Sequence, residues 1–283
     1  MVRNRRQTGE EAIQKLVREG KGQGELAEYQ PWLTVRDVPS RGLSTRSKGW
    51  KTGRIHHLLS KLERKYFYVL EWSKIVADVR EQYPLLPLDD TLAIAKQCGF
   101  GHPAIPSKDD PKELDPVVMT TDFFITLIVD GKRIEQARTV KYAADLQSAS
   151  VLRKLEIERR FWEARQIDWG IVTEHDIPMV LADNVEFLYP NRYMDEDSRY
   201  SRRELYSMTT LLTKSVQEST LSLRHIALDC DTALGFEPGT SLSVAYFLIA
   251  NRYWEIDMHV PIQPGKRLVL LKQVDLSKLN PGG

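Results

Sequence analysis

The sequence predicts an α/β protein: a sandwich built around a mixed sheet, followed by a winged-helix-like unit. Three observations predict it. Met119–Lys141 holds two runs of strand composition flanking Asp130-Gly131, a strong hairpin signal. Around that hairpin the order reads helix, strand, strand pair, helix, strand, which is an α/β pattern. After Tyr189-Pro190-Asn191 the pattern changes to three helical segments and two short strands, so the domains are drawn as residues 1–190 and 191–283.

Taken in order, Thr8–Gly20 reads as a short helix with Ile13, Leu16 and Val17 on one face. Arg3, Arg5 and Arg6 before it suit either a phosphate-touching arm or a frayed terminus. An irregular stretch follows to Gly53. Arg36, Arg41, Arg46, Lys48, Lys51, Arg54, Lys61, Arg64 and Lys65 face only Asp37 and Glu63 as acids. Phosphate binding and a solvated face are both open for this segment, and Trp50 within it suits base stacking or packing.

A helix is expected over Ile55–Trp72, with Leu59, Leu62, Tyr66, Phe67 and Leu70 as its apolar stripe. Glu63 falls inside that stripe. An unpaired buried carboxylate costs several kcal/mol, so Glu63 wants a cation, either an arginine partner or a metal. His56 and His57, adjacent on a helix, would diverge and make no chelate.

Lys74–Val79 reads as a strand running on to Pro84. Asp89–Gln97 reads as a helix capped by Asp89 or Asp90, and Gly101–Pro116 as a surface loop. Beyond the hairpin, Asp145 is expected to cap a helix reaching Gln166, with Leu152, Leu155 and Phe161 inward and its Arg and Glu residues outward. Trp169–Thr173 reads as a short buried strand. Ser201–Lys214, Leu221–Leu234 and Gly239–Arg252 read as helices, and Trp254–Met258 and Arg267–Leu271 as the wing strands.

Lys and Arg total 40 against 39 Asp and Glu, so any nucleic-acid contact must come from a local patch. Cys98 and Cys230 sit in no ligand motif and read as buried, reduced thiols. With no signal peptide and no apolar run near about 18 residues, neither secretion nor membrane spanning is expected.

The hairpin is where chemistry first shows. A two-residue turn pairs Val129 with Lys132, and the same register carries Asp122 opposite Thr139, with Cβ atoms about 5 Å apart. Lys141 shares that face. An acid, a polar oxygen and a lysine approach the metal-dependent nuclease pattern of acid, then acid-x-Lys. In that pattern carboxylates hold Mg²⁺ beside a phosphodiester and lysine steadies the developing charge. An ordinary half-buried hairpin stays open, because the second acid is Thr here.

Further stretches join these: W-L-T-V-R-D-V-P at Trp32–Pro39, K-T-G-R-I-H-H-L-L-S at Lys51–Ser60, L-E at Leu62-Glu63, and L-E-W at Leu70–Trp72. R-E-Q-Y-P-L-L-P at Arg80–Pro87, M-T-T-D-F at Met119–Phe123, V-K at Val140-Lys141 and K-L-E-I-E-R-R-F-W at Lys154–Trp162 complete the set. Together, over residues 8 to 190, they resemble the TnsA endonuclease subunits of Tn seven-like transposases; the last hundred residues resemble the family only in layout.

The resemblance implies a restriction-endonuclease-like core, Mg²⁺ as cofactor with Mn²⁺ able to substitute, and a cytoplasmic, bacterial setting. It implies cutting of the 5′ strand of double-stranded DNA at transposon ends beside a TnsB-type transposase, with a TnsC-type AAA+ regulator as second partner. It puts catalytic roles on Glu63, Asp122 and Lys141. Glu63 and Asp122 are the main metal ligands, and Thr139 stands at a second-strand metal position that can be Gln. Contact there runs through water or the Val140 carbonyl. Lys48, Lys51, Arg54, His56 and His57 are the expected DNA contacts. The alternative is a catalytically inactive assembly subunit bridging transposase and regulator.

Overall fold

The computed structural model describes residues 9–38, 44–107, 110, 112–193, 201–272 and 274. Arg3, Arg5, Arg6 and Arg41 lie outside the described residues. The chain divides into two compact units between Ile177 and Pro178. The sequence reading had drawn that boundary at residue 190.

The first unit is organised by a four-stranded mixed sheet. Its strands are β3 (Val76–Pro84), β6 (Thr120–Val129), β7 (Lys132–Val140) and β8 (Asp168–Val172), in spatial order β3-β6-β7-β8. The first two pairings are antiparallel and the last is parallel. Asp130 (φ 49°) and Gly131 (φ 73°) turn the hairpin with two left-handed residues, as Asp-Gly favours. The expected register holds from Val129↔Lys132 to Phe123↔Arg138.

Both faces of β6 are buried: Phe123 and Ile125 on one, Phe124 and Thr126 on the other. Helices cover both sides. Tyr66 of α2 (Lys61–Trp72) meets Phe123 edge-on at 5.5 Å, whereas Trp162 of α4 (Ala149–Glu163) stacks on Phe124 at 5.0 Å. A sheet covered on both faces loses polar alternation.

Several sequence expectations are corrected. The helix expected from Ile55 starts only at Lys61, because the Ser60 hydroxyl caps it by accepting the Glu63 N–H at 3.1 Å. Ile55–Leu58 is instead a strand, β2, paired with β1 (Thr45–Lys48), so His56 and His57 lie on a strand. Helix α3 (Leu88–Gln97) has no side-chain cap from Asp89 or Asp90. The 101–116 loop contains a small antiparallel pair, β4 (Ala104–Pro106) with β5 (Leu114–Pro116). Asp145 sits in a 3₁₀ turn, Ala143–Gln147, and does not cap α4; Leu152 is exposed while Leu155 and Phe161 are buried. The N-terminal helix α1 (Glu10–Arg18) seats Ile13 against Trp32, Leu33 and Val118. Cys98 is only half-buried, whereas Cys230 is buried.

In the second unit α5 (Met179–Leu188) joins α6 (Arg202–Glu218), α7 (Leu223–Leu234) and α8 (Thr240–Ala250). Phe187 of α5 meets Tyr246 of α8 edge-on, which is why the unit begins before residue 190. The three expected helices form, but the two wing strands do not. The carbonyls of Pro264 and Lys266 instead accept the free N–H groups of Arg224 and Leu223 at the start of α7. Pro261 and Pro264 also remove two ladder donors from the segment. Among the described residues no helix is long and apolar enough to cross a membrane.

Candidate active site

Where β3 meets β6, the ladder passes from Glu81↔Phe123 to Tyr83↔Thr121, and the intervening Gln82 and Asp122 are not paired. Gln82 holds a left-handed φ of 49° although it is not glycine and is buried. Such a conformation costs about 1–3 kcal/mol and persists only where its surroundings impose it. Here the Gln82 carbonyl accepts the Trp32 N–H at 3.2 Å and its side-chain Oε1 accepts the Thr120 hydroxyl at 3.0 Å. Its amide then donates toward Glu63 Oε2 at 3.4 Å.

Glu63 is the third residue of α2. Its Oε2 also accepts the Leu59 N–H at 2.9 Å, so two donors commit one oxygen and Oε1 takes neither of them. No arginine pairs with it among the described residues. Asp122 shows the same division: Oδ2 accepts the Val140 N–H at 2.8 Å and the Lys141 ammonium at 2.9 Å, while Oδ1 is uncommitted. Lys141 also donates to the Val140 carbonyl at 2.9 Å, the atom expected to touch a metal.

Thr139 commits its hydroxyl proton to a neighbouring acid. Its hydroxyl donates to Oε1 of Glu158, a buried residue of α4, and that oxygen also accepts the Thr121 hydroxyl at 2.8 Å and the Trp169 indole N–H at 3.1 Å. Glu158 is thus not among the outward, solvated acids expected of this helix. Glu158 was legible by the test that singled out Glu63: it falls three residues after Leu155 and three before Phe161, inside the buried stripe.

Glu63, Gln82, Asp122, Thr139, Lys141 and Glu158 line one cavity of about 320 Å³. Burial, then the charge of Asp122, holds the Glu63 carboxyl well above the usual carboxylate range. Burial pushes Glu158 up to about 7, with Asp122 adding to it against the Thr139 hydroxyl. Burial alone would lower Lys141, but Asp122 outweighs it and holds the ammonium above its ordinary value. Three carboxyls thus share one fixed cation, and two of them cannot ionise cheaply near neutral pH.

This donor set fits a hard divalent cation, which prefers carboxylate oxygen. Among the described residues no three His, Cys, Asp or Glu side chains converge as a preformed metal cluster. The open oxygens are Glu63 Oε1 and Asp122 Oδ1, with Lys141 seated between Asp122 and the Val140 carbonyl.

The expected DNA contacts separate. Arg54 and His56 turn inward onto buried Glu81: Arg54 grips both carboxylate oxygens at 2.9 and 2.6 Å, and His56 Nδ1 lies 2.8 Å from Oε2. His56 is fully buried, with Thr52 on its other nitrogen at 2.8 Å. These two are corrected: they brace the fold and do not reach a ligand. Lys51 donates to the Ser73 carbonyl at 2.7 Å, Lys48 is exposed, and His57 is half-buried. Trp50 is half-buried with its backbone N–H on Glu71.

Residues 73–174 match the family model described as TnsA-like endonuclease N terminal, and residues 176–258 match TnsA endonuclease C terminal. The two matches meet where the compact units divide. The chain is also 39% identical over 254 residues to the transposon Tn7 transposition protein TnsA of Escherichia coli. That alignment covers 90% of this chain and 88% of the relative.

Proposed function

The chain belongs to the TnsA endonuclease family, and from that premise we propose that it is the metal-dependent DNA endonuclease subunit of a cut-and-paste transposase. It acts in the bacterial cytoplasm on double-stranded transposon ends and cuts the 5′, non-transferred strand. A TnsB-type transposase cuts and joins the 3′ strand, and a TnsC-type AAA+ regulator engages the C-terminal unit. The mixed sheet with a helix on each face supports a restriction-endonuclease-like core.

The observation that carries the reading is the pair of open oxygens, Glu63 Oε1 and Asp122 Oδ1, beside the Lys141 ammonium. Mg²⁺, or Mn²⁺ in its place, would be held by Glu63 and Asp122 and would supply acidified water and a polarised phosphoryl oxygen. Lys141, a point charge already fixed by Asp122, stabilises negative charge developing on the phosphate. Gln82 and Leu59 hold Glu63 in one orientation, and the Val140 N–H does the same for Asp122. Glu158 supplies from a helix the third carboxyl that the second strand lacks at Thr139. That substitution removes the chief motive for an inactive assembly subunit.

The test is strand-resolved cleavage of a labelled transposon-end duplex with the partner transposase present, in Mg²⁺ and in EDTA. Metal-dependent 5′-strand cuts are expected from the wild type and not from a folded Asp122→Ala protein. Intact 5′ cutting by Asp122→Ala overturns the assignment.

A further inference from the structure

We propose that a groove beside the catalytic pocket holds backbone phosphates of the substrate DNA strand through Lys21, Arg36 and Arg46. The ligand's identity rests on the nuclease reading above, while the geometry of the groove stands apart from it.

The groove has a volume of about 640 Å³, and Leu33, Val117 and Val118 line both it and the catalytic cavity. A strand leaving the catalytic cavity therefore meets this space next. The basic segment legible in the sequence is sorted by the β1–β2 ladder. Arg46 pairs with His57 in register, and both line the groove, while the neighbours Ser47 and His56 point into the fold. Lys21 also lines the groove, held by the Pro31 carbonyl at 3.3 Å, which leaves most of its donor capacity open.

Charge in the groove is available to a ligand. Arg36 and Arg46 are exposed, and neither guanidinium has a hydrogen bond or ion pair among the described residues. The two lining acids are already engaged. Asp37 Oδ2 accepts the Thr34 N–H at 2.8 Å and its hydroxyl at 2.6 Å, and Glu19 lies 3.9 Å from Lys15. His57 reports that the cations converge: burial lowers its proton affinity first, and Lys21 and Arg46 lower it further against the pull of Glu81. Guanidinium and ammonium groups lining one groove suit phosphate oxygens. Its adjacency to the catalytic cavity, with three lining residues in common, favours DNA over an acidic peptide.

The experiment uses the full chain and a labelled duplex in EDTA, where metal-dependent cutting is off, and follows binding from about 50 to about 200 mM salt. Arg36→Gln/Arg46→Gln should bind about tenfold more weakly, with a log–log salt slope shallower by about 2. Lys132→Gln, at the exposed hairpin tip, should match the wild type. A double variant with wild-type affinity and slope overturns the proposal. So does unchanged DNA binding with cutting lost only when the partner transposase is present, which would make the groove a protein-docking site. If Asp122→Ala still cuts while the double variant binds weakly, the catalytic assignment fails and the groove stands.

Discussion

The hydroxyl of Thr139 on β7 donates to the carboxylate of Glu158 on α4, so the strand position expected to face a metal is tied to a buried helix acid that lines the same cavity. Glu158→Gln, which keeps shape but not charge, should lower 5′-strand cleavage about 100-fold, with little change in melting temperature near pH 4.5, where the wild-type carboxyl is itself neutral. Thr139→Val, which removes only the orienting donor, should weaken Mn²⁺ binding about 10–100-fold. Calorimetric metal titration and strand-resolved cleavage check the pair. Wild-type cutting by a folded Glu158→Gln protein would show that the helix acid has no part in the chemistry.

Gln82 separates strain from activity. Gln82→Gly relieves the left-handed backbone, a gain of about 1–2 kcal/mol, and loses hydrogen bonds worth a similar amount. Stability should therefore stay within about 1 kcal/mol of the wild type. Activity should fall about 10–100-fold, because Glu63 loses its orienting amide. Denaturant melts beside cleavage rates decide it, and equal loss of both would reduce Gln82 to a structural residue.

The pH dependence follows from Glu158. Its carboxyl goes from an ordinary 4.5 to about 7 in the folded protein, so the native state keeps a proton that the unfolded chain has released. Unfolding between those values releases that proton, and this contribution to stability is lost as pH rises from about 4.5 to about 7. In EDTA the wild type should lose melting temperature across that window relative to Glu158→Gln, which does not titrate. Mg²⁺ should stabilise the wild type more at pH 8 than at pH 5, since it binds the ionised form. A pH-independent difference between the two proteins would contradict this.

Arg54→Ala leaves Glu81 buried with only His56 and backbone donors. Removing one partner of a buried ion pair costs about 3–5 kcal/mol, or a fall of about 10 °C in melting temperature. At low temperature, where the variant is folded, its DNA salt slope should equal the wild type's. A shallower slope with unchanged stability would restore Arg54 as a phosphate contact.

Local signals carried much of this architecture. Asp130-Gly131 fixed the hairpin and its register, and the misplaced acid in a helical stripe exposed Glu63. The start of α2 was misjudged because Ile55–Leu58 is apolar enough for either element, and the Ser60 cap decides between them. Arg54 and His56 read as surface cations because their partner, Glu81, is distant in sequence and meets them only through the sheet. The wing strands failed for a similar reason: their carbonyls are claimed by the start of α7, a tertiary demand with no local trace. Gln82 carried no signal at all, since glutamine does not announce a positive φ.

Glu63, Asp122, Lys141 and Glu158 come from α2, β6, the residue following β7 and α4, and the last of these is also the last to be synthesised. A nascent chain that has made the hairpin already carries Glu63, Asp122 and Lys141, yet the layer bearing Glu158 has not closed over them. The proposed site therefore lacks one of its acids until α4 is made.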